Sequence, residues 1–453
     1  MALAVESVPA GGRPLFFFFL LALVWMPLPF GSNHLWSWSF LEAWVLLMAS
    51  AWLVLFVAGR VKPTHAFRRA WPTLVLFVGV FALVQFQLLP LPAAVLAQLS
   101  PNAADIHATT QSATTLTLDP AATRAAALKT LTYGVLFALT LLLVDSRTRL
   151  RSLGLALVFS GVFQAAYGAL MTLSGLEFGF FVPKEHDAGA VTGTFLNANH
   201  LAGYLEMCLG VGVGLMLADM STRPATNMRE SLRRILSSIL GSQGRVRLLL
   251  VIMVIGIVLS KSRMGNVAFF SSLIFAGGLY AVLARRFSAG TLFFFISVVL
   301  IDILIIGNYF GIDKVAEELR QGIRLDASMY DMGYRAAAAD GALQIVRDYP
   351  LTGAGAGSFA SVYPMYDDGD TGSFFWEHAH NDYLQFAGEF GLAGFAMLGG
   401  IVLLSVWMAI SAQVRRRELP TALDLPAEAG EGQGHALLPR RRGLDPVGPL
   451  DST

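Results

Sequence analysis

Gly391-Leu392-Ala393-Gly394-Phe395-Ala396-Met397-Leu398-Gly399-Gly400-Ile401-Val402-Leu403-Leu404-Ser405-Val406-Trp407-Met408-Ala409-Ile410 is a run of twenty residues without a charge. Lipid offers no partner for backbone N–H and C=O groups, so a run of this length reads as a membrane-spanning helix. Directly before it stands Glu377-His378-Ala379-His380-Asn381-Asp382-Tyr383-Leu384-Gln385, a polar and titratable stretch set against a membrane surface. Comparable apolar runs lie near 15–31, 39–58, 71–91, 126–144, 152–173, 200–219, 247–260, 266–284 and 288–306. The seventh of the ten runs, 247–260, is short. The first follows Arg13, as in a signal peptide, but no small-x-small cleavage site succeeds it, so it reads as an uncleaved helix. The expected fold is an all-α polytopic membrane protein with about 10 spans.

Composition agrees with that class. Of 453 residues, 55% are hydrophobic and 14% charged, against about 25% charged in soluble domains. This excludes an ordinary cytosolic enzyme, a disordered protein and a nucleic-acid binder. Lys plus Arg number 32 and Asp plus Glu 31, so no net charge points to an acidic partner. The single Cys208 has no partner for an internal disulfide.

Lys and Arg set the orientation. Alternate segments collect Arg13; Arg60, Lys62, Arg68 and Arg69; Arg147, Arg149 and Arg151; the arginines of 223–247; Arg285 and Arg286; and those of 415–442, which is 22 of the 32 basic residues. Both termini are therefore expected in the cytoplasm. The outer face receives 92–125, 174–199 and 307–390. The last is far longer than an ordinary connection, which marks it as functional. Its first half carries apolar residues at helical spacing, and Pro350 with the glycines of 353–357 ends that pattern. The expected domains are a transmembrane unit over 1–411 and a disordered cytoplasmic tail over 412–453.

Four stretches could carry chemistry. The Glu377–Gln385 segment admits three readings: a polar helix cap with Tyr383 at headgroup level, a metal site built on His-x-His-x-Asp, or an acid–base site, since imidazole titrates near neutral pH. Ser260-Lys261-Ser262-Arg263 places a cation on the outer side, which either snorkels or meets an anionic ligand. Arg335 is a surface residue of a helix or, with Arg263, half of a bidentate clamp for a diphosphate. The glycines after Pro350 are not a phosphate-binding P-loop, because no Gly-Lys-Ser/Thr follows. Gly193-Thr194-Phe195-Leu196-Asn197-Ala198-Asn199-His200 offers either a helix cap or an amide and imidazole pair lining the same outer cavity.

Taken together, these stretches resemble the O-antigen ligase/polymerase family. Thr192-Gly193-Thr194-Phe195 … Asn199-His200-Leu201-Ala202-Gly203-Tyr204-Leu205 resembles its motif before a central span, and Ser260–Arg263 its Ser/Arg motif. Asp348-Tyr349-Pro350-Leu351-Thr352-Gly353-Ala354-Gly355 resembles its Pro-Leu-x-Gly-x-Gly element. His380-Asn381, nine residues, then Gly391 and Gly394 match the ligase pattern His-Asn-x9-Gly-x-x-Gly. The motifs run in family order between about 120 and 400. The chain departs from the family at Ala339, where Arg335-x3 is expected to lead to Leu, and in having one span after the His motif where one or two more are common.

The resemblance implies a metal-independent, inverting membrane glycosyltransferase of the bacterial inner membrane that needs no cofactor. Its donor would be a polyprenyl-diphosphate-linked glycan, taken at the periplasmic face, and its acceptor lipid A–core or a growing glycan chain. It implies His380 as the essential base, Arg263 and Arg335 on the diphosphate, and supporting roles for Asn381, Asp382, His378, Asn199 and His200. Asn381 or Asp382 would set the tautomer of His380. O-antigen ligase is the leading reading and repeat-unit polymerase the alternative. A lipid-linked sugar transporter is the reading from another class, disfavoured because the polar residues gather at one face and no internal repeat occurs.

Overall fold

The computed structural model describes residues 12–111, 114–184, 187–219, 227, 229, 242–284, 326–367 and 376–418. The expected ninth span, the loop over 307–325 and the tail beyond 418 lie outside these residues. Among the described residues the chain is helical, and the only strand-like pairing is an isolated bridge between Phe178 and Pro183.

In chain order the helices are α1 Gly12–Trp25, α2 Leu35–Val57, α3 His65–Arg69, α4 Trp71–Leu88, α5 Ala93–Leu99, α6 Pro101–Thr110, α7 Pro120–Leu143 and α8 Arg147–Leu173. They continue as α9 Ala198–Asp219, α10 Ser242–Leu259, α11 Arg263–Ala284, α12 Asp326–Asp348, α13 Phe359–Val362 and α14 Asp382–Glu418. Among the described residues, six segments are long and apolar enough to cross a membrane: α2, α4, α7, α8, Ala198–Ala218 of α9 and Asp382–Val414 of α14. Gly12–Trp25 and Met264–Leu279 are shorter apolar helices. Their outward side chains are apolar: Leu47, Val57, Phe275 and Leu403 are each about 70% exposed or more, as a lipid-facing surface requires.

Several limits differ from the sequence reading, for local reasons. α7 starts at Pro120 rather than 126, because the Asp119 carboxylate accepts from the N–H groups of Ala121 and Ala122 and Pro120 supplies the first helical turn. α14 starts at Asp382 rather than 391, because Asn381 caps it. It also runs to Glu418, past the expected boundary at 412. The outer segment 92–125 holds α5 and α6, which bury Leu96, Ala103 and His107.

The helices alternate in direction. The guanidinium of Arg149, at the start of α8, lies over the Phe16 ring at 4.9 Å, and the Thr64 hydroxyl donates to the carbonyl of Leu141. The start of α1, the α2–α3 connection and the α7–α8 junction therefore share one end, with Arg60, Lys62, Arg147 and Arg149. At the other end the Thr194 hydroxyl donates to the carbonyl of Pro27, Val191 N–H to Leu259, and Leu118 N–H to Ala354. The described residues around 27–34, 89–111, 114–119, 174–184, 187–197, 260–262, 350–367 and 376–381 thus gather at the end opposite the basic connections.

Small residues let α8, α9 and α10 approach closely. A Cβ at Gly161 would lie 2.5 Å from Met253 Sδ, and one at Gly256 would lie 2.6 Å from Ala165 Cβ. Leu201, Leu205, Leu209, Leu250, Met253 and Val254 fill the seam. With no water to expel between helices, this contact holds by close packing, which small residues permit. Gly256→Ala is therefore expected to cost about 1–3 kcal/mol by overpacking. Thermal unfolding in detergent should show a lowered midpoint for it, whereas Gly214→Ala, which meets nothing within 4 Å, should leave the midpoint unchanged or raised.

Candidate functional site

α14 is two helices joined at Gly391, whose φ of 66° and ψ of 174° belong to a region open essentially to glycine alone. The break frees backbone groups that an unbroken helix would pair. The loop 350–355 takes them up: Leu392 N–H donates to Pro350 O, while Ala354 and Gly355 N–H donate to Gly388 O and Glu389 O. The two backbones touch where they cross. A Cβ at Gly353 would lie 2.2 Å from Glu389 O, and one at Gly391 would lie 2.3 Å from Leu351 O. Gly394 makes room for α4, since its Cβ would lie 2.8 Å from Leu83. The first glycines of the Pro-Leu-x-Gly-x-Gly and His-Asn-x9-Gly-x-x-Gly patterns, Gly353 and Gly391, are thus the two halves of one crossing.

Gln87, fully buried at the end of α4, locks the crossing. Its amide donates to Thr352 O at 2.6 Å and Glu389 O at 2.9 Å and accepts from Ala356 N–H at 3.0 Å. The Glu389 side chain is also buried, and its Oε2 accepts from Gly357 N–H at 2.8 Å. Its Oε1 accepts from the Gln385 amide at 3.1 Å, and that amide lies 3.2 Å from Nδ1 of His378. Gln385 Oε1 accepts from Ala379 N–H at 3.1 Å. The loop is tied to α7 as well. Leu118 N–H donates to Ala354 O just before α7, and Asp119, the cap of α7, accepts from the Ser361 hydroxyl. Beneath the crossing, Tyr349, Phe359, Val362, Tyr363 and Ala379 form a core with Leu96, Leu116 and the end of α12.

His380 is exposed, and its φ of 51° is left-handed, a conformation uncommon outside glycine. Its ring meets Trp376 edge-on at 5.2 Å. The Asn381 side-chain oxygen Oδ1 accepts from Leu384 N–H, so Asn381 caps α14, the first of the three readings for this stretch. Asp382 is exposed in the first helical turn, where its charge suits the helix dipole.

A second group of motif residues joins at the same end. The Ser262 hydroxyl donates to Asn199 Oδ1 at 2.6 Å and accepts from Gly265 N–H. Asn199 and His200 are exposed in the first turn of α9, where Asn197 and Asp187 cap the helix. Lys261 takes a left-handed φ of 55° between Ser260 and Ser262, both buried. Arg263 is the first residue of α11, directly after the Ser262 that bonds Asn199. Arg335 is exposed on α12, just before the stretch of that helix that enters the core at Ala338.

The hydrogen bonds therefore join the motifs in two pairs. One unites the Thr192–Leu205 and Ser260–Arg263 stretches, and the other unites the Pro350–Gly357 loop with the His378–Gly394 stretch. Among the described residues no group of three His, Cys, Asp or Glu side chains is arranged to hold a metal ion. Gln87 and Glu389 are absent from the residues picked by sequence, and Gln385 stands there only as the last residue of the Glu377–Gln385 stretch, with no role of its own. Their signal was nevertheless present: Glu389 is the one acid between Leu384 and Ile410, and Gln385 precedes it by one helical turn.

Residues 248–399 match the O-antigen ligase family, a stretch of about a third of the chain that holds three of the four motifs. No curated protein matches the chain.

Two outcomes are expected from this geometry. Gln87→Leu orphans two buried backbone groups, Thr352 O and Ala356 N–H, at about 1–3 kcal/mol each, and leaves Glu389 O with Gly355 N–H alone, while Gln87→Glu loses both donors. Each should lower the unfolding midpoint and open the 350–357 loop to protease. At Asp119, burial raises the carboxyl pKa, but the hydrogen bonds from Ala122, Ser361 and Ala121 outweigh it and hold the group below its usual value. Its stabilising contribution is therefore present above the unfolded value of about 4 and lost as pH falls through the lower folded value. The difference in midpoint between the wild type and Asp119→Asn should shrink as pH drops from about 5 toward 3.

Proposed function

We propose that this chain, which carries an O-antigen ligase domain across residues 248–399, moves a glycan from a polyprenyl diphosphate carrier to an acceptor sugar hydroxyl. The observation that carries this reading is the backbone crossing of Pro350–Gly355 with Glu389–Leu392. It holds two histidines, His378 and His380, at the very start of a membrane-crossing helix. A lipid carrier presents its diphosphate at that depth.

The alternation of basic residues puts this end outside the cytosol, at the periplasmic face of a bacterial inner membrane, with both termini inside. The apolar helices hold the prenyl chain. His380 takes the proton of the acceptor hydroxyl as its oxygen attacks the anomeric carbon. The bond from that carbon to the diphosphate oxygen breaks, its electron pair leaves with the phosphate, and the anomeric centre inverts. Arg263 and Arg335 meet the growing negative charge, each in the manner of a preorganised donor. Asn199 and His200 line the acceptor side. The acceptor is lipid A–core.

The test is transfer in proteoliposomes supplied with a polyprenyl-diphosphate-linked glycan and lipid A–core. Wild-type protein is expected to form the lipid A–core product, and His380→Ala to lose about 10²–10⁴-fold in rate. Full transfer by His380→Ala would refute the base assignment. A product in which carrier-linked glycan lengthens and lipid A–core stays bare would make the protein a repeat-unit polymerase.

A further inference from the structure

Gln385 and Glu389 stand one turn apart on α14, so their side chains share a face. Three hydrogen bonds fix the Gln385 amide. The Ala379 backbone N–H can only donate, and it meets Oε1 at 3.1 Å. The Glu389 carboxyl oxygen that lies 3.1 Å from Nε2 acts as acceptor. Turning the amide over would set N–H against N–H at one end and oxygen against the carboxyl at the other. The Nε2 hydrogens are therefore committed, one to Glu389 Oε1 and one to His378 Nδ1 at 3.2 Å. An imidazole whose Nδ1 accepts carries its proton, when neutral, on Nε2.

Glu389 is held in turn. Its second oxygen accepts from Gly357 N–H, and its backbone carbonyl accepts from Gln87 and Gly355. The chain of contacts runs from the backbone crossing through a buried side chain to an exposed ring, with no long flexible link.

We infer that Glu389, acting through Gln385, is a positioning residue that holds His378 as the Nε2–H tautomer, and that His378 donates a hydrogen bond to an oxygen of the carrier diphosphate. The inference rests on the glycan-transfer reading and divides the work of the two histidines. A neutral ring with an accepting Nδ1 and a protonated Nε2 has no free lone pair for a hydroxyl proton, so it cannot be the base. It can bind an anionic oxygen, and His378 is exposed to one. Proton acceptance stays with His380.

The test has two arms. In the first, the full-length protein is labelled with ¹⁵N-histidine and its nitrogen shifts are read at about pH 8.5, two units above the ordinary imidazole value. Loss of one ring's signals in His378→Gln identifies His378. The wild-type protein is expected to show His378 as Nε2–H, and Gln385→Leu to show a mixture of tautomers. An Nδ1–H ring, or an even mixture, at His378 of the wild type overturns the inference. In the second arm, transfer is followed against the concentration of the lipid-linked donor. His378→Leu and Gln385→Leu are expected to raise KM for that donor by about tenfold to a hundredfold, the weight of one hydrogen bond to a charged group. His378→Gln, which keeps an N–H near the Nε2 position, should stay within a few-fold of wild type.

An unchanged KM in His378→Leu overturns the inference while leaving glycan transfer in place. Transfer that survives His380→Ala ends the base assignment instead, and the tautomer spectrum still decides whether Glu389 and Gln385 position the ring.

Discussion

A helix broken beside a membrane must give its freed N–H and C=O groups to something other than lipid. The break at Gly391 meets that demand with another piece of backbone, the Pro350–Gly355 loop, and with one buried amide, Gln87. Much else at this end of the molecule follows. Glycine is required at 353 and 391 because the chains cross at contact distance. Tyr349, Phe359 and Tyr363 form a core there because the loop must be held down on both sides. The His378–Asn381 segment is presented where it is because it enters the broken helix one turn before Gln385.

The two pairs of motifs use one device at different places. In each, a small polar side chain binds backbone or a neighbouring polar group across elements far apart in sequence: Gln87 with Thr352 and Glu389, and Ser262 with Asn199. In the pair around Ser262 the surrounding seam is closed by glycine and alanine against Leu, Met and Val. Close packing sets the helix positions, and the polar bonds set the register of the loops at their ends. Neither would suffice alone, because apolar helices slide in lipid at little cost and isolated polar pairs there are worth little.

The spans were legible in the sequence because lipid imposes a simple demand of about twenty apolar residues, and α2, α4, α7, α8 and α9 meet it without ambiguity. Their ends were less legible. The start of α7 was misplaced because the cap at Asp119 lies outside the apolar run, and α14 was begun late because Gly391 marks a break inside the helix and not its start. His378, His380 and Asn381 were visible as unusual company beside a span. The residues that hold them were not, because Gln87 and Glu389 take their meaning from partners some three hundred positions away or from a backbone crossing that no local pattern announces. Glutamine carries no charge, so Gln87 and Gln385 left no mark in the charge pattern.

The distribution of rigidity across the site follows from this. Catalysis of a group transfer from a diphosphate depends on donors already fixed where charge will develop, since reorienting them during the reaction costs as much as they return. A ring tied through an amide to a buried acid, as His378 is through Gln385 to Glu389, has already lost rotamer freedom on folding. The crossing at Gly353 and Gly391 is the rigid part of that arrangement, and it stands on the same helix that anchors the site in the membrane.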